Sequence, residues 1–466
     1  MGVDTYIIYA IIVSVALLVS TGIYSTFGKN KKAMFLASSA LLFVIALLSL
    51  ILIALPSNYT LFNLVHIYPF SSLFMALFAL VMLLVNVLSY SKSNDYHNLL
   101  LLLSLSFAAS FIVSTAMSIV AIFIGLELLA TSSAFAILFE GKHRMEAAVK
   151  FFILSSVSVA VFAFALSMLF PYNMQLSLSP VVQNPNLTDA TLALLSMVLF
   201  IVAFGFDTAL FPFNLWVPDV YEGAPTYITS MLAGFNKKVA FVALIEVLFF
   251  VFLAYRSTFS VILVVLATVT MFFGNLVALA QDNMKRMFAY SSISQAGYIL
   301  VGLAAATQFG IEASIFYIVA HAFMIVGAFA LIMWLESKNI RTIEDYSSLN
   351  SKNQFASISL TIIMLSMAGI PPLIGFAGKF LLFSSAIDAN IVILAVFGVI
   401  NSFISIYYYA RVINSMYTSG NAKRMEMDRR IAVIVVICLA AIILFGVYPQ
   451  PLITVASRAA GSILGI

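Results

Sequence analysis

Long apolar runs separated by short polar breaks follow one another along almost the whole chain. A helix that spans the hydrocarbon core of a bilayer needs about 20 mostly apolar residues, and about fourteen runs meet that requirement. The pattern therefore predicts an all-α polytopic membrane protein without room for a soluble domain. The predicted spans cover residues 5–27, 33–55, 69–90, 98–114, 117–139, 147–170, 190–216, 226–254, 258–280, 287–306, 312–336, 355–386, 389–417 and 431–448.

The seventh and twelfth predicted spans are interrupted in a matching way. The seventh reads FGFDTALFPFNLWVPD at residues 204–219, and the twelfth reads SMAGIPPLIGFAGKF at residues 366–380. Pro212 in the first and Pro371 and Pro372 in the second lie in mid-membrane, where freed backbone carbonyls must find partners or line a cavity. Because an odd number of spans separates the two breaks, a second copy of the unit is inverted. This pattern is typical of inverted repeats with broken helices, although two unrelated proline kinks would read the same way.

Composition supports lipid as the main solvent. Hydrophobic residues make up 63% of the 466 residues and charged residues 9%, against about 45–50% and about 25% in soluble domains. Cys438 is the single cysteine and there are four histidines, which excludes a disulfide framework, an iron–sulfur site and a cysteine-rich zinc site. The net charge of +4 gives no argument for nucleic-acid binding, and no cleavable targeting segment is apparent.

The basic residues predict an orientation in the membrane. Fifteen Lys and Arg side chains lie in loops that follow odd-numbered spans, and Arg256 and Arg458 are the two on the opposite side. Because positively charged loops stay in the cytoplasm, both termini are expected on the outer side. A prokaryotic cell membrane fits this pattern better than an organelle inner membrane.

Eight ionisable side chains fall within the predicted spans or just inside their ends. An acid or base at the centre of a spanning helix costs ~2.5–3.5 kcal/mol, so these groups are expected to face one another, bound water or a polar channel. A row of acids and bases at mid-depth is what proton transfer across a membrane requires. The eight are Glu127, Lys150, Asp207, Lys237, Lys238, Glu246, His321 and Lys379.

Structural explanations compete with a proton pathway at several of these positions. Lys150 lies near the end of its span and could extend to the lipid headgroups. Lys238 and Glu246 are eight positions apart on one helical face and could form a static ion pair. His321 could simply bond a neighbouring carbonyl.

Six motifs, in order along the chain, carry a resemblance to a known family. They are GLELL (125–129), EAAVKFF (146–152), FPFNLWVPDVYEGAP (211–225), QDNMKRMFAYSSISQAGY (281–298), GIPPLIGFAGKF (369–380) and NSFISIYYYARV (401–412). A chain with these motifs resembles the antiporter-like membrane subunits of respiratory complex I. Within that family it is most similar to subunit N of NADH-quinone oxidoreductase and its relatives in F(420)H(2) dehydrogenases.

The resemblance implies a subunit of fourteen helices with two inverted five-helix repeats, in which the seventh and twelfth helices are discontinuous. On that basis the chain divides into an N-terminal three-helix segment (1–95), a first repeat (96–256), a second, inverted repeat (257–417), and a C-terminal helix with a tail (418–466). Since the family carries no flavin, cluster or nucleotide site in this subunit, no cofactor and no metal is expected in this chain.

By motif position, the resemblance assigns Glu127, Lys150, Lys237 and Lys379 to a hydrated polar axis along the membrane midplane. In the family this axis couples distant quinone reduction to proton export. The resemblance therefore implies other membrane subunits of a complex-I-like assembly as partners, with quinone reached only through the complex.

One position departs from the family pattern. The seventh helix of the family usually carries a central lysine and, after the proline, a histidine, but here Asp207 and Asn214 stand in those places. Either Asp207 relays protons with the charge inverted, paired with Lys237 or Lys238 of the next helix and titrating with it as a unit, or this half of the pathway is inactive. His321 is more typical of the sibling antiporter-like subunits.

Three functions are compatible with these features. The DVYEGAP stretch (219–225) favours a proton-translocating subunit of a complex-I-type quinone oxidoreductase. A subunit of a cation/proton antiporter or of a membrane-bound hydrogenase shares the repeat, and His321 and the missing lysine agree with it. A self-sufficient secondary transporter would show a substrate pocket and transport by the isolated chain.

Overall fold

A computed structural model describes residues 3–28, 30–55, 58–61, 64–93, 95–139, 144–180, 191–418 and 424–465, with side chains from Tyr6 onward. Within these residues the chain is almost entirely helical. The helices are α1 Val3–Phe27, α2 Lys31–Ala54, α3 Pro69–Lys92, α4 Tyr96–Ser114, α5 Ile119–Leu138, α6 Met145–Leu169, α7 Thr191–Thr208, α8 Trp216–Gly223, α9 Thr226–Met231, α10 Lys237–Glu246, α11 Arg256–Leu279, α12 Met284–Ala304, α13 Gln308–Glu336, α14 Leu349–Lys352, α15 Gln354–Ala368, α16 Ile374–Asp388, α17 Val392–Met416, α18 Arg429–Val447 and α19 Gln450–Leu464.

Twelve helices in the described part of the chain are long and apolar enough to cross a membrane. This confirms the prediction of an all-α polytopic membrane protein. Eleven of the predicted spans each correspond to one helix, whereas the seventh, eighth and twelfth are divided into shorter pieces. The number of fourteen crossings and the inverted-repeat layout stay predictions.

Both proline-containing interruptions are present. Residues 209–215 separate α7 from α8, and residues 369–373 separate α15 from α16. Pro212 lies in the first gap and Pro371 and Pro372 in the second, and the peptide bonds that precede Pro212 and Pro372 are cis. Proline prevents either helix from continuing through its gap, because it lacks an amide proton and its ring clashes with the preceding turn.

The eighth predicted span is irregular in a way that the sequence did not indicate. Short π-helical segments, Leu232–Asn236 and Val247–Val251, lie directly before and directly after α10. A π-helical turn inserts an extra residue into the helix and is frequent at functional sites. The ten residues of α10 are therefore bordered on both sides by a local change in helix geometry.

Polar residues begin many of the helices. The side chains of Asn30, Ser118, Thr307 and Asn353 each accept a hydrogen bond from a backbone N–H of the first turn of α2, α5, α13 and α15. These caps satisfy amide groups that have no partner within the helix. They mark helix starts that hydropathy alone places only approximately.

The chain forms two compact units. Unit 1 contains the residues up to Thr208, the segment Phe235–Phe259 and the residues from Val455 onward, and unit 2 contains Ala209–Gly234 and Ser260–Thr454. All ten residues of α10 are buried in unit 1, and α13 is the most buried long helix of unit 2. The predicted domain boundaries at residues 95, 256 and 417 were drawn from the implied sequence repeats, whereas these two units are defined by their compactness. The predicted boundaries therefore stay a prediction.

Two elements were absent from the sequence-based prediction. A small antiparallel hairpin, β1 Tyr59–Leu61 and β2 Val65–Ile67, lies between α2 and α3 in unit 1. The predicted C-terminal tail contains a helix, α19, whose buried residues Leu452, Ala456 and Ala459 share one face. Fifteen residues with apolar side chains every three to four positions are sufficient for this amphipathic helix.

Gly375 lets α16 approach α15 closely. Its backbone N–H donates to the hydroxyl of Ser366 at 3.1 Å, and a Cβ atom at this position would overlap the carbonyl oxygen of Ser366. Since the obstructing atom belongs to the backbone of the neighbouring helix, it cannot rotate away. The two halves of the interrupted helix therefore require glycine at this point.

We expect Gly375→Ala to destabilise the folded protein by about 1–3 kcal/mol or more, the usual cost of overpacking a core. The melting temperature of the solubilised protein measures this effect. Gly28→Ala is the control, because its Cβ would meet no atom closer than 3.3 Å. Equal melting temperatures for both variants would contradict the close approach.

Candidate functional site

Lys379 of α16 is the most completely described buried cation. Its side chain is 4% exposed, and its Nζ atom donates to the carbonyl of Ala368 at 3.1 Å and to the hydroxyl of Ser402 at 3.1 Å. The ammonium also lies 4.2 Å from the ring centroid of Tyr298. None of these described partners is a carboxylate, so the lysine is held by a backbone carbonyl, a hydroxyl and an aromatic face.

The interruption of the twelfth span creates this binding position. Helix α15 ends at Ala368 because Gly369 adopts a left-handed conformation with φ of 93°, and the last carbonyls of a helix have no partner within it. Lys379 donates to the carbonyl of Ala368, and Gln295 donates to the carbonyl of Met367 at 3.4 Å. The negative end of the α15 dipole also favours a cation here.

A buried hydrogen-bond network extends from Lys379 within unit 2. The Ser402 hydroxyl donates to the Tyr298 hydroxyl at 3.3 Å. Beside Ser402 in the sequence, Asn401 accepts from Asn275 at 3.0 Å, and Asn275 in turn accepts from Tyr408 at 3.0 Å. These residues lie within motifs or beside them, yet sequence reasoning assigned them no role, because uncharged side chains do not stand out in an apolar span.

His321 is a buried residue of α13 in the same unit. Its side chain is 1% exposed, and it follows Tyr317, whose hydroxyl donates to Gln295, by one helical turn. Residues four positions apart share a helix face, so His321 and Tyr317 are on the same side of α13. The structure therefore places His321 near the polar interior of unit 2.

Lys237 and Lys238 begin α10 in unit 1, and each is 1% exposed. The preceding residue, Asn236, donates to Ser133 of α5 at 2.6 Å. Glu246 ends the same helix, is fully buried and accepts a hydrogen bond from the Tyr68 hydroxyl at 2.8 Å. The structure thus pairs Glu246 with a tyrosine and does not support the alternative of a static ion pair with Lys238.

Asp207 lies near the end of α7 and is partly buried in unit 1, and α7 packs against α10. Glu127 lies on α5 in the same unit and is half-buried. A pairing of Asp207 with Lys237 or Lys238 stays a hypothesis. Asn214, in unit 2, is 1% exposed, and neither its oxygen nor its nitrogen has a hydrogen-bond partner among the described residues.

Lys150 lies at the surface of unit 1. Its Nζ atom is 2.8 Å from the Glu146 carboxylate one turn earlier on α6, and 43% of its side chain is exposed. An exposed ion pair of this kind contributes little to stability. Lys150, at one end of α6, is therefore exposed, in contrast to the fully buried lysines of α10.

A cluster of ion pairs joins two of the sequence motifs within unit 2. Arg286 of α12 lies 2.9 Å from Asp219 and 2.8 Å from Glu222 of α8. Lys285 donates to the carbonyl of Ala224, at the end of α8, at 2.8 Å and lies 3.9 Å from Glu336 of α13. The opposite charges of the two motifs were a usable signal for this contact, but sequence reasoning treated both only as marks of a family.

Within the described residues, no group of three or more His, Cys, Asp or Glu side chains is placed to hold a metal ion. The arrangement can hold protons on lysine, carboxylate and histidine side chains, and it can pass them along hydroxyl and amide groups. The chemistry that the site residues support is therefore proton binding and transfer.

Comparison with known proteins identifies relatives over most of the chain. A family model described as NADH:quinone oxidoreductase/Mrp antiporter, TM, matches residues 116–405. F(420)H(2) dehydrogenase subunit N of Methanosarcina mazei is 34% identical in an alignment 423 residues long that covers 86% of this chain and 86% of the relative. NADH-quinone oxidoreductase subunit N of Desulforamulus reducens is 36% identical over 359 residues, which are 76% of this chain and 75% of the relative.

A solved structure shows the same fold. A chain of respiratory complex I from Thermus thermophilus aligns with a TM-score of 0.81 and 25% sequence identity. The alignment covers 95% of this chain and 99% of that chain. The resemblance inferred from the six motifs is thereby confirmed over nearly the full length.

We expect Arg286→Ala to lower the stability of the folded protein by about 1 kcal/mol, since it removes ion pairs with Asp219, which is half-buried, and with Glu222, which is exposed. Thermal denaturation of the solubilised protein measures the change. Arg256→Ala, at an exposed position, is the matched control and should leave the melting temperature nearly unchanged. A variant at 286 as stable as this control would show that the cluster does not hold α8.

Proposed function

The chain belongs to the family of antiporter-like membrane subunits of complex I and related membrane-bound complexes, and from that premise we propose that it moves protons across the membrane through its buried lysine, glutamate, aspartate and histidine side chains. The observation that carries this proposal is the position of Lys379 at the interrupted helix. A buried lysine held by uncharged partners keeps its charge only while those partners remain in place, because an unpartnered charge inside the membrane is costly.

The reaction assigned to this chain is the movement of protons, with no change of oxidation state. Rearrangement around Lys379 releases one proton to the hydroxyl and amide network, and the return of its partners lets the amine take up another. The chain is a subunit of a quinone oxidoreductase complex, and the redox chemistry takes place in other subunits. The electron donor of that complex is NADH, NADPH or F(420)H(2), and no catalysis is expected from the isolated chain.

We propose that this chain carries no cofactor and no metal. It is a multi-pass component of a bacterial or archaeal cell membrane, together with other membrane subunits of the complex. Quinone meets the complex elsewhere, and both termini face outward. Elemental and absorbance analysis of the purified chain tests the cofactor expectation, and labelling of added terminal cysteines tests the orientation.

A subunit of a cation/proton antiporter is the second candidate. The description of the family model includes Mrp antiporters, and Asp207 stands where the family usually has a lysine. Identification of the chains that purify with the native protein distinguishes the two. Quinone-linked peripheral subunits support the first candidate, and other antiporter chains alone support the second.

We expect Lys237→Met combined with Lys379→Met to reduce the proton translocation due to this subunit by about 10²-fold or more, a loss typical of removing a positioned proton carrier. The measurement is the number of protons moved per electron by the complex in liposomes. Lys92→Met, at an exposed helix end, is the control and should behave as the native complex. An unchanged proton-to-electron ratio in the double variant would exclude these lysines from the pathway.

Asp207→Asn separates the two explanations of the unusual seventh helix. If Asp207 relays protons, the variant lowers translocation by about 10²-fold, because the amide cannot take up a proton at this position. The exposed Asp388→Asn is the matched control. The same ratio and rate as the native complex would instead show that Asp207 lies outside the pathway.

A further inference from the structure

Glu246 is a buried carboxyl group with half of its hydrogen-bonding capacity unused. Its Oε1 atom accepts from the Tyr68 hydroxyl at 2.8 Å, whereas Oε2 has no partner within the described part of the chain. The residue is fully buried and ends α10, where the π-helical segment Val247–Val251 begins. A buried carboxylate oxygen without a partner is costly, so this oxygen is suited to hold a proton or a water molecule.

Tyr68 is held firmly against Glu246. It precedes α3, is 2% exposed, and its backbone N–H donates to the hydroxyl of Ser71 at 2.9 Å. Its ring contacts Phe70 and Phe250, with centroid separations of 5.9 and 6.1 Å. Packing on both sides restricts the ring, and the hydroxyl therefore stays directed toward the carboxyl group.

On its other face, Tyr68 connects to the hairpin. The rings of His66 and Tyr68 stack with a centroid separation of 4.4 Å and an angle of 15°. His66 belongs to β2 and is half-buried, and its Nε2 atom lies 2.7 Å from the Oδ1 atom of Asn58, which is exposed. The backbone N–H of His66 donates to the carbonyl of Thr115 at 2.8 Å, which fixes the hairpin within unit 1.

Burial increases steadily along this series, from exposed Asn58 through half-buried His66 to buried Tyr68 and Glu246. Burial also lowers the pKa of His66, which leaves its ring neutral at pH 7 and able both to accept and to donate a proton. If the hydrogen bond between Tyr68 and Glu246 were only structural, it would need neither the polar side chains of His66 and Asn58 nor a Glu246 Oε2 atom without a partner.

We propose that Glu246 is a proton-binding site of unit 1 that exchanges protons through the Tyr68 hydroxyl with water that the polar side chains of His66 and Asn58 bring to the hairpin. For release, protonated Glu246 gives its proton to the Tyr68 oxygen while the phenol gives its own proton to such a water molecule, so the phenol ends neutral and one proton has moved outward; uptake is the reverse. This inference rests on the proposed function. In the orientation predicted from the basic residues, the hairpin is on the outer side, and Glu246 is then the last carrier before release.

The test uses the whole complex in liposomes, with protons moved per electron and the uncoupled electron-transfer rate both measured. Glu246→Gln keeps the acceptor for Tyr68 but cannot bind a proton, and we expect it to lose as much translocation as the double lysine variant while uncoupled electron transfer persists. Tyr68→Phe keeps the stacked ring without the hydroxyl and should slow translocation by about 10²-fold. Glu246→Asp, which keeps a carboxyl group, should restore part of the translocation that Glu246→Gln loses.

Tyr96→Phe is the matched control. Tyr96 is also fully buried in unit 1, and its hydroxyl donates to Asn86 at 2.7 Å, so its replacement removes an equivalent buried hydrogen bond away from Glu246. We expect native translocation in this variant. In infrared difference spectra, a carboxylic acid band that changes during turnover should disappear in Glu246→Gln and persist in Tyr96→Phe.

Native translocation in Glu246→Gln, with the double lysine variant impaired, would overturn this inference and leave the proposed function intact. Equal losses in Tyr68→Phe and Tyr96→Phe, with an unchanged infrared band, would also overturn it, because the role of Tyr68 would then be structural. If the double lysine variant itself translocated normally, the proposed function would fail.

Discussion

A charge or a free backbone carbonyl inside the hydrocarbon core must find a polar partner in the protein, because lipid offers none. Lys379 and the end of α15 satisfy this requirement for each other. The interrupted helix leaves carbonyls without partners, and the lysine brings donors that need acceptors. Each feature would be unfavourable alone, and the hydroxyl of Ser402 and the ring of Tyr298 complete the site.

In unit 1 the buried charged residues find polar partners less completely. Lys237, Lys238 and Glu246 lie on one ten-residue helix with a π-helical segment at each end. Glu246 is satisfied on one oxygen only. A fully satisfied buried network is rigid, whereas an incomplete one has room for a change of protonation or for water. The incomplete position is therefore where proton exchange is most readily accommodated.

The motifs that indicated a family divide into two physical groups. Lys379 and Tyr298 belong to the buried polar interior of unit 2, whereas Asp219, Glu222 and Arg286 form ion pairs that hold α8 to α12. The sequence predicted a role for Lys379 in the polar axis, but it gave Tyr298 and the three ion-paired residues no role beyond motif membership. The roles differ because Lys379 is buried among uncharged partners, whereas the charges of Asp219, Glu222 and Arg286 neutralise one another on α8 and α12.

By itself, the sequence determined the apolar spans, the two proline-containing breaks and the buried ionisable residues, because run length, proline and charge act locally along the chain. The hairpin, the π-helical segments and the C-terminal helix lack such local signals. The tertiary structure alone decided which side chains meet, such as Tyr68 with Glu246 across 178 positions and Arg286 with Asp219 across 67. Partners so far apart in sequence are selected by helix packing, since only packing brings their atoms within hydrogen-bond distance.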